Sequence, residues 1–348
     1  MCSNSGECFV VLPTFTESNE VIFGRNSYRP DGEVTEVLYA NDKEKSIIIS
    51  KPFEVKGAES GANDSNVSIG ITWTDGESLI ESYDSTTLTR MALETSSSAV
   101  DAVEKISEFI EKNHSCDKSD MPKYGFVICD NKEVWILNIA GKNWAAEVIT
   151  EGCRRIPQGF SITTKIDKFS PNLQQTAQDL ALWDGNGDFN FQQAFATSNP
   201  TGATTWPGTE PSVDAKFSVI DMFKALRSVE SDKSAQSSHV SQLSSTGLSC
   251  HWFTATPNPN ESVFKPFVFT TNVRISPLTV VQPSETTTLL HKLYQQRNWS
   301  AVGNLLRSLE DACVEEMTRT LSEMGGISNS DFDELLKDCV EAEVKFYR

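Results

Sequence analysis

The chain has no long hydrophobic run and comparatively few basic residues. Its 348 residues contain no stretch approaching the roughly 20 consecutive apolar residues of a membrane-spanning helix, so we expect no membrane insertion. Lys and Arg number 30 against 48 Asp and Glu, which gives a formal net charge of -18 at pH 7. A surface this acidic repels phosphate backbones and anionic headgroups. We therefore expect no nucleic-acid partner.

The sequence also has little that indicates secretion or metal binding. Its first residues have no basic region followed by an apolar run, so no signal peptide is predicted. The eight cysteines form no CxxC pair and the four histidines are dispersed. The acidic run 184–188 has Phe189 where a calcium loop needs glycine, and it predicts a polar turn before a helix. We predict a cytoplasmic protein with reduced thiols, no metal site and no other cofactor.

What the chain does contain is a succession of strand-like and helix-like segments. Short runs rich in Val, Ile and Tyr predict strands at 8–12, 20–26, 36–40, 46–51, 67–73, 124–129, 133–139, 144–150, 160–165, 251–256 and 263–271. Apolar residues at helical spacing predict helices at 85–94, 97–112, 172–182, 215–226, 286–296, 301–323 and 330–346. This order favours an α+β fold in which helices cover the outer faces of packed sheets.

The end of the chain differs in composition from the rest. Residues 228–248 are rich in Ser and poor in apolar residues, and they predict a long loop. Nearly all of the following C-terminal segment after residue 284 has a helical pattern. We therefore predict one domain over residues 1–283, which includes the loop, and a helical extension over residues 284–348 that packs on it.

Eight short segments carry a family resemblance. They are FVVLP at 9–13, IFGRNS at 22–27, GAESGAN at 57–63, EVWIL at 133–137, AGKNWAAE at 140–147, SITTKI at 161–166, WDG at 183–185 and SVFKPF at 262–267. In this order and spacing they resemble the secernin family, which is related to dipeptidase-A-like cysteine peptidases of the N-terminal-nucleophile (Ntn) hydrolase superfamily. The resemblance implies a four-layer αββα sandwich, here followed by a helical C-terminal tail.

The resemblance also implies a particular chemistry. In the family a cysteine made N-terminal by processing attacks an amide carbonyl, and its own α-amino group acts as the base. Arg or Lys, Asp and Asn residues position the thiol and stabilise the oxyanion. The implied ligand is a small peptide or a similar amide, and the secernin name implies a role in secretion or exocytosis. Protein partners are not implied by any segment.

This sequence departs from the family pattern at most of the implied catalytic positions. Gly6 stands in the place of the nucleophilic cysteine, and Tyr28 stands in the place of the carboxylate that orients its amine. Ile71 and Gln158 replace two asparagines, whereas Arg25 keeps the cationic position. Glycine has no side chain, and a neutral phenol with a pKa of about 10 cannot supply the charge of a carboxylate. The pattern favours a degraded catalytic site and a non-catalytic role.

Two cysteines leave a catalytic alternative open. Cys8 lies two residues beyond Gly6 and therefore faces the same side of a strand, and cleavage after Glu7 would make it N-terminal. Cys2 would become N-terminal if Met1 were removed. The alternative is a cysteine-type dipeptidase or amide hydrolase whose nucleophile is Cys8 or Cys2, with Arg25 in support. A third hypothesis is a binding module that uses Arg25 to hold a carboxylate ligand.

Overall fold

The computed structural model describes residues 5–75, 84–113, 121–197, 203–229, 235–322 and 332–347. Its strands are β1 (Ser5–Val11), β2 (Val21–Tyr28), β3 (Thr35–Ala40), β4 (Ile47–Pro52), β5 (Ser60–Asn63), β6 (Ser68–Asp75), β7 (Lys123–Cys129), β8 (Val134–Ala140), β9 (Asn143–Ile149), β10 (Cys153–Ile156), β11 (Lys168–Phe169), β12 (Ala235–Leu243), β13 (Cys250–Phe253) and β14 (Lys265–Phe267). Its helices are α1 (Ser85–Thr95), α2 (Ala99–Asn113), α3 (Leu173–Asp179), α4 (Phe191–Phe195), α5 (Val219–Arg227), α6 (Leu289–Gln296), α7 (Trp299–Ser322) and α8 (Leu335–Tyr347). None of the helices in the described ranges has both the length and the apolar composition needed to cross a bilayer.

The fourteen strands form one continuous antiparallel network, which divides at the contact between β1 and β6 into two sheets. Sheet I has the order β10-β1-β2-β12-β13-β14, and sheet II has the order β3-β4-β5-β6-β7-β8-β9-β11. The two sheets are connected where Ser5 of β1 pairs with Trp73 of β6. In every strand pair the neighbours run antiparallel, and short turns such as the one at residues 130–132 join consecutive strands.

Alternation along the strands builds four layers. In β1, Cys8 and Val10 face sheet II and share a core cluster with Val127 of β7, whereas Phe9 faces outward and shares a cluster with α5 and α7. Helices α1 and α2 pack on the outer face of sheet II through residues such as Val103. Successive side chains of a strand point to opposite faces, so each sheet packs on the other sheet with one face and on helices with the other. The result is a helix layer, two facing sheets and a second helix layer. The predicted α+β fold and αββα sandwich are confirmed.

Most predicted elements are found with small shifts at their ends, but two predictions are wrong. Residues 160–165 form no strand; the backbone N–H groups of Ser161 and Ile162 donate to Asn138 Oδ1 of β8 instead, at 3.0 and 3.1 Å. The short strands β5, β10 and β11 were not predicted from the sequence. The acidic run 184–188 does form a turn that leads into α4, as expected.

The larger error is the loop predicted over residues 228–248. Of the residues described there, Ala235–Leu243 form β12, which lies inside sheet I between β2 and β13. Its buried serines have hydrogen-bond partners in both sheets. Ser68 Oγ of sheet II donates to Ser241 Oγ at 2.9 Å, and Ser238 Oγ donates to Asn26 Oδ1 of β2 at 2.6 Å. Because the buried polar side chains of this strand have hydrogen-bond partners, the strand needs few apolar residues. Its Ser-rich composition therefore resembles that of a loop. Residues 230–234 lie outside the described residues.

The last helices cover one edge of sheet I. Both α7 and α8 contact β14. Lys265 of β14 forms an ion pair with Glu343 of α8, Nζ to Oε2 at 2.7 Å, and both side chains are fully buried. Lys265 Nζ also donates to the carbonyl oxygens of Thr254 and Val263, at 2.6 and 2.8 Å. The boundary between residues 283 and 284 stays a prediction.

Candidate functional site

Gly6 lies where β1 passes closest to β6. It pairs with Ser27 of β2, and the side of its Cα that faces sheet II is covered by Arg25 and by the backbone of Ile71. A Cβ atom at position 6 would lie 2.6 Å from the Ile71 carbonyl oxygen and 2.7 Å from Arg25 Nη2. Both distances are too short for a carbon atom, and the first involves backbone that cannot turn aside. Position 6 therefore accommodates glycine because of this close approach.

The guanidinium of Arg25 fills the space beside Gly6. Only 2% of this side chain is exposed, and its Nε donates to the Ile71 carbonyl oxygen at 2.8 Å. Its Nη1 lies 3.9 Å from Glu59 Oε2. A buried cation needs such partners, because removal from water disfavours the charged form. The site thus contains a partnered structural cation at the point where the family resemblance implies a nucleophile.

Glu59 is a central residue of the site that the sequence analysis did not single out. Its Oε2 accepts a hydrogen bond from Ser27 Oγ at 2.6 Å, and its Oε1 accepts one from Arg29 Nη1 at 2.9 Å. Arg29 also forms an ion pair with Glu33. Burial acts to lower the pKa of Arg29, but Glu59 and Glu33 outweigh burial and raise it. In the sequence, Glu59 could have been noticed as the one acidic residue among the small and neutral residues of segment 57–63.

Tyr28 lies on the opposite face of sheet I from Gly6. Directly opposed residues of an antiparallel pair share a face, and Tyr28 is opposed to Ser5 rather than to Gly6. Its hydroxyl donates to Glu7 Oε2 at 3.3 Å, and Arg155 Nε forms an ion pair with the other oxygen of Glu7. Burial raises the pKa of Glu7 against the opposing effect of Arg155, and burial together with Glu7 raises the pKa of Tyr28. Tyr28 is therefore a hydrogen-bond donor to Glu7.

Cys8 is in the core between the sheets. Its neighbours across the strand pairs are Arg25 of β2 and Ile156 of β10, so β1 is hydrogen bonded on both sides here. Burial raises the pKa of the Cys8 thiol to about 12, although Arg25 acts to lower it. Because the thiolate is the nucleophilic form, this thiol is unreactive near neutral pH. Cys2 lies outside the described residues.

At position 71 the backbone, and not the side chain, takes part in the site. The side chain of Ile71 packs in the core formed with α1 and α2, so only its carbonyl oxygen reaches Arg25. Gln158 follows β10 and is partly buried. Of the positions predicted from the sequence, the structure brings together Gly6, Arg25 and the backbone of Ile71. It places Tyr28 on the other face of sheet I.

A second cluster of polar groups lies between the sheets. Ser241 Oγ is 2.9 Å from His239 Nε2 and 2.8 Å from His251 Nδ1. Burial lowers the pKa of both imidazoles, that of His251 to about 3. A serine beside a histidine is one element of a nucleophilic site, but these imidazoles are 1% and 0% exposed, so no substrate reaches them. Within the described ranges, no three His, Cys, Asp or Glu residues are grouped as metal ligands.

Comparison with known proteins agrees with the resemblance described above. Residues 57–207, or 151 of the 348 residues, match the model of a family described as Peptidase family C69. The predicted resemblance to dipeptidase-A and secernin proteins is thereby confirmed. The matched segment begins after β4, so it does not include Gly6, Arg25 or Tyr28.

Two solved structures of hydrolases are also similar to this chain at low sequence identity. The Caenorhabditis elegans N-acylethanolamine-hydrolyzing acid amidase (NAAA) ortholog is 13% identical, with 67% of this chain and 91% of that chain covered and a TM-score of 0.38. A variant of conjugated bile acid hydrolase from Clostridium perfringens is 11% identical, with 78% of this chain and 99% of that chain covered and a TM-score of 0.35.

Proposed function

We propose that this protein is a secernin-like protein that keeps the sandwich of an Ntn hydrolase but has a non-catalytic role. The observation that carries the proposal is the position of the Arg25 guanidinium, which lies where a side chain of residue 6 would have to be. An N-terminal-nucleophile mechanism needs a reactive side chain at the start of β1. Gly6 has none, and Arg25 with the Ile71 carbonyl leaves no room for one.

Cys8 does not offer an equivalent nucleophile. Its thiol is fully buried, and its pKa is raised to about 12 by burial. Its backbone lies between β2 and β10, so a free amine at Cys8 would require cleavage inside a strand that is paired on both sides. These observations favour the non-catalytic role over a dipeptidase that uses Cys8.

Arg25 is also poorly suited to bind a carboxylate ligand. Its Nε is bonded to the Ile71 carbonyl oxygen, and the carboxylate of Glu59 already lies beside it. A ligand would have to displace one of these groups and reach a side chain that is almost completely buried. The site is therefore better explained as a structural remnant than as a binding site for a small peptide or amide.

The role in secretion or exocytosis that the family resemblance implies is part of the proposal, as is a cytoplasmic location. If the role is non-catalytic, a variant without the Cys8 thiol should act like the wild-type protein in cells. We expect Cys8→Ala to restore secretion fully in cells that lack the protein. Failure of a well-folded Cys8→Ala protein to restore secretion would contradict the non-catalytic role.

The direct test combines the intact mass, the N-terminal sequence and dipeptide hydrolysis of the purified protein. We expect a chain that still contains Ser5 to Glu7 and hydrolyses dipeptides no faster than a buffer blank. Cys129→Ala is a matched control for Cys8→Ala, because both thiols are fully buried in the same core cluster.

The dipeptidase alternative makes the opposite prediction. A mature chain that begins at Cys8, with activity that Cys8→Ala abolishes and Cys129→Ala retains, would make the protein a cysteine-type dipeptidase. A mature chain that begins at Cys2, with activity that Cys2→Ala abolishes, would do the same with Cys2 as nucleophile.

A further inference from the structure

Two cysteines far from Gly6 lie in contact with each other. Cys313 of α7 and Cys339 of α8 are 26 residues apart in the sequence, and their sulfur atoms are 3.2 Å apart. The two helices pack against each other and against β14. A disulfide has an S–S length of about 2 Å, so the two sulfur atoms must approach each other by roughly 1 Å to bond.

The two thiols differ in access to solvent. Cys313 is partly exposed, whereas Cys339 is 6% exposed. The hydrogen bond between the two sulfur atoms lowers the pKa of Cys313, against burial and the nearby Glu310 and Glu316. The same hydrogen bond and burial raise the pKa of Cys339. A partly exposed thiol in contact with a buried thiol is the arrangement of an attacking and a resolving cysteine.

We propose that Cys313 and Cys339 form a thiol-modification site that reacts with low-molecular-weight disulfides, such as oxidised glutathione, and is converted to an intramolecular disulfide. The Cys313 thiolate attacks one sulfur of the small disulfide, whose S–S bond breaks and releases one thiolate. Cys339 then loses its proton to solvent and attacks the sulfur of Cys313, which breaks the mixed disulfide and releases the second small thiol. Two protein thiols are oxidised, and one small disulfide is reduced to two thiols.

The disulfide would link the last helix to α7. Helix α8 is already held to β14 by the ion pair between Glu343 and Lys265, so the new bond adds a covalent connection to a packed region. A crosslink across 26 residues restricts the unfolded chain and should raise Tm by about 5 °C. The site is thus a means by which the thiol–disulfide balance sets the stability of the C-terminal helices.

Cys153 provides a matched control within the same chain. It is partly exposed like Cys313, but its sulfur atom is 3.8 Å from both Glu210 Oε1 and the Pro211 carbonyl oxygen. Burial and Glu210 raise its pKa to about 11, so it is mostly a thiol near neutral pH. We expect Cys153 to react much more slowly than Cys313, because the thiolate is the attacking species.

The test incubates the folded full-length protein with oxidised glutathione at neutral pH, followed by trypsin digestion and mass spectrometry. We expect peptides 308–319 and 338–345 joined by a disulfide, with a mass two hydrogens below their sum. Cys339→Ser should instead accumulate one glutathionyl group on Cys313. Cys313→Ser should give neither product, and Cys153→Ser should crosslink like the wild type. The oxidised wild-type protein should melt about 5 °C higher than the reduced protein.

Three results would overturn the proposal. The first is a wild-type protein in which peptides 308–319 and 338–345 stay unlinked. The second is glutathione found on Cys153 as readily as on Cys313 in the Cys339→Ser variant, since the site would then have no selectivity. The third is a crosslink with no rise in Tm, which would remove the proposed effect on the C-terminal helices.

Discussion

Two buried cations, Arg25 beside Gly6 and Lys265 beneath α8, have different surroundings. Lys265 is fully buried, with its Nζ 2.7 Å from Glu343 Oε2 and bonded to two carbonyl oxygens. Arg25 is bonded to one carbonyl oxygen at 2.8 Å, and its nearest carboxylate, Glu59, is 3.9 Å away. Lys265 is paired with a carboxylate on another element. Within the described residues Arg25 has no carboxylate as near, and its guanidinium is fixed by one carbonyl oxygen and by the packing around it.

The difference indicates two uses of a buried charge. The Lys265 pair joins β14 to α8, so each partner depends on the other. The planar guanidinium of Arg25 instead occupies a space that exists because residue 6 has no side chain. Removal of one charge should therefore be the most damaging change at Lys265, whereas addition of a side chain should be the most damaging change at Gly6.

The largest effect is expected from Lys265→Met. It leaves Glu343 buried without a cation, and we expect the free energy of unfolding to fall by about 3–5 kcal/mol in urea titrations. The double variant Lys265→Met/Glu343→Leu should recover most of that loss, because no unpaired charge remains. A double variant as unstable as the single one would show that packing, and not charge, connects α8 to β14.

The next effect is expected from Gly6→Cys, which restores the residue type implied by the family pattern. The added Cβ would overlap the Ile71 carbonyl oxygen and Arg25, so we expect a loss of about 2–3 kcal/mol in the free energy of unfolding and no dipeptide hydrolysis. Gly6→Ala is the control and should lose about as much, because the Cβ alone causes the overlap. A Gly6→Cys protein of wild-type stability that hydrolyses dipeptides would contradict the comparison.

The third prediction concerns His251, a buried side chain that burial keeps in its neutral form. Burial lowers the pKa of His251 from 6.5 to about 3, so between these values the unfolded chain binds the proton and the folded chain does not. Stability contributed by neutral His251 is complete above pH 6.5 and is lost as the pH falls toward 3. From pH 7 to pH 5 we expect this group to lower the free energy of unfolding by about 2 kcal/mol.

The control for the acid experiment is His251→Gln, measured by urea titration at both pH values. Between pH 7 and pH 5 its free energy of unfolding should fall less than that of the wild-type protein. The difference between the two falls should be about 2 kcal/mol. An equal change in both proteins would show that His251 does not take up the proton on unfolding.

The smallest effects are expected from two tyrosines that donate to buried glutamates, one at the partner of Lys265 and one on the face of sheet I opposite Gly6. Tyr347 donates to Glu343 Oε1 at 2.6 Å, whereas Tyr28 donates to Glu7 Oε2 at 3.3 Å. We expect Tyr347→Phe to lower the free energy of unfolding by about 2 kcal/mol and Tyr28→Phe by about 1 kcal/mol, since shorter bonds to charged groups are stronger. A reversed order in urea titrations would contradict the tighter packing at Lys265.

The strands with apolar residues were predictable because their alternation reflects burial on one or both faces of a sheet. Strand β12 was not, because its buried serines bond to side chains that are distant in the sequence, such as Ser68 for Ser241 and Asn26 for Ser238. That Gly6 and Tyr28 stand in place of family residues is an expectation from the resemblance, and it stays a prediction. The position of the Arg25 guanidinium and the partners of Glu59 could not be predicted, because each contact joins segments that only the folded chain brings together.

The sequence by itself determined the acidic net charge and the alternation of strands and helices, since both depend on local composition or order. The tertiary structure decided that Arg25 fills the space beside Gly6, that Tyr28 faces Glu7 and that Cys313 meets Cys339. Such contacts depend on strand register and helix packing, which set distances between residues that are far apart in the chain.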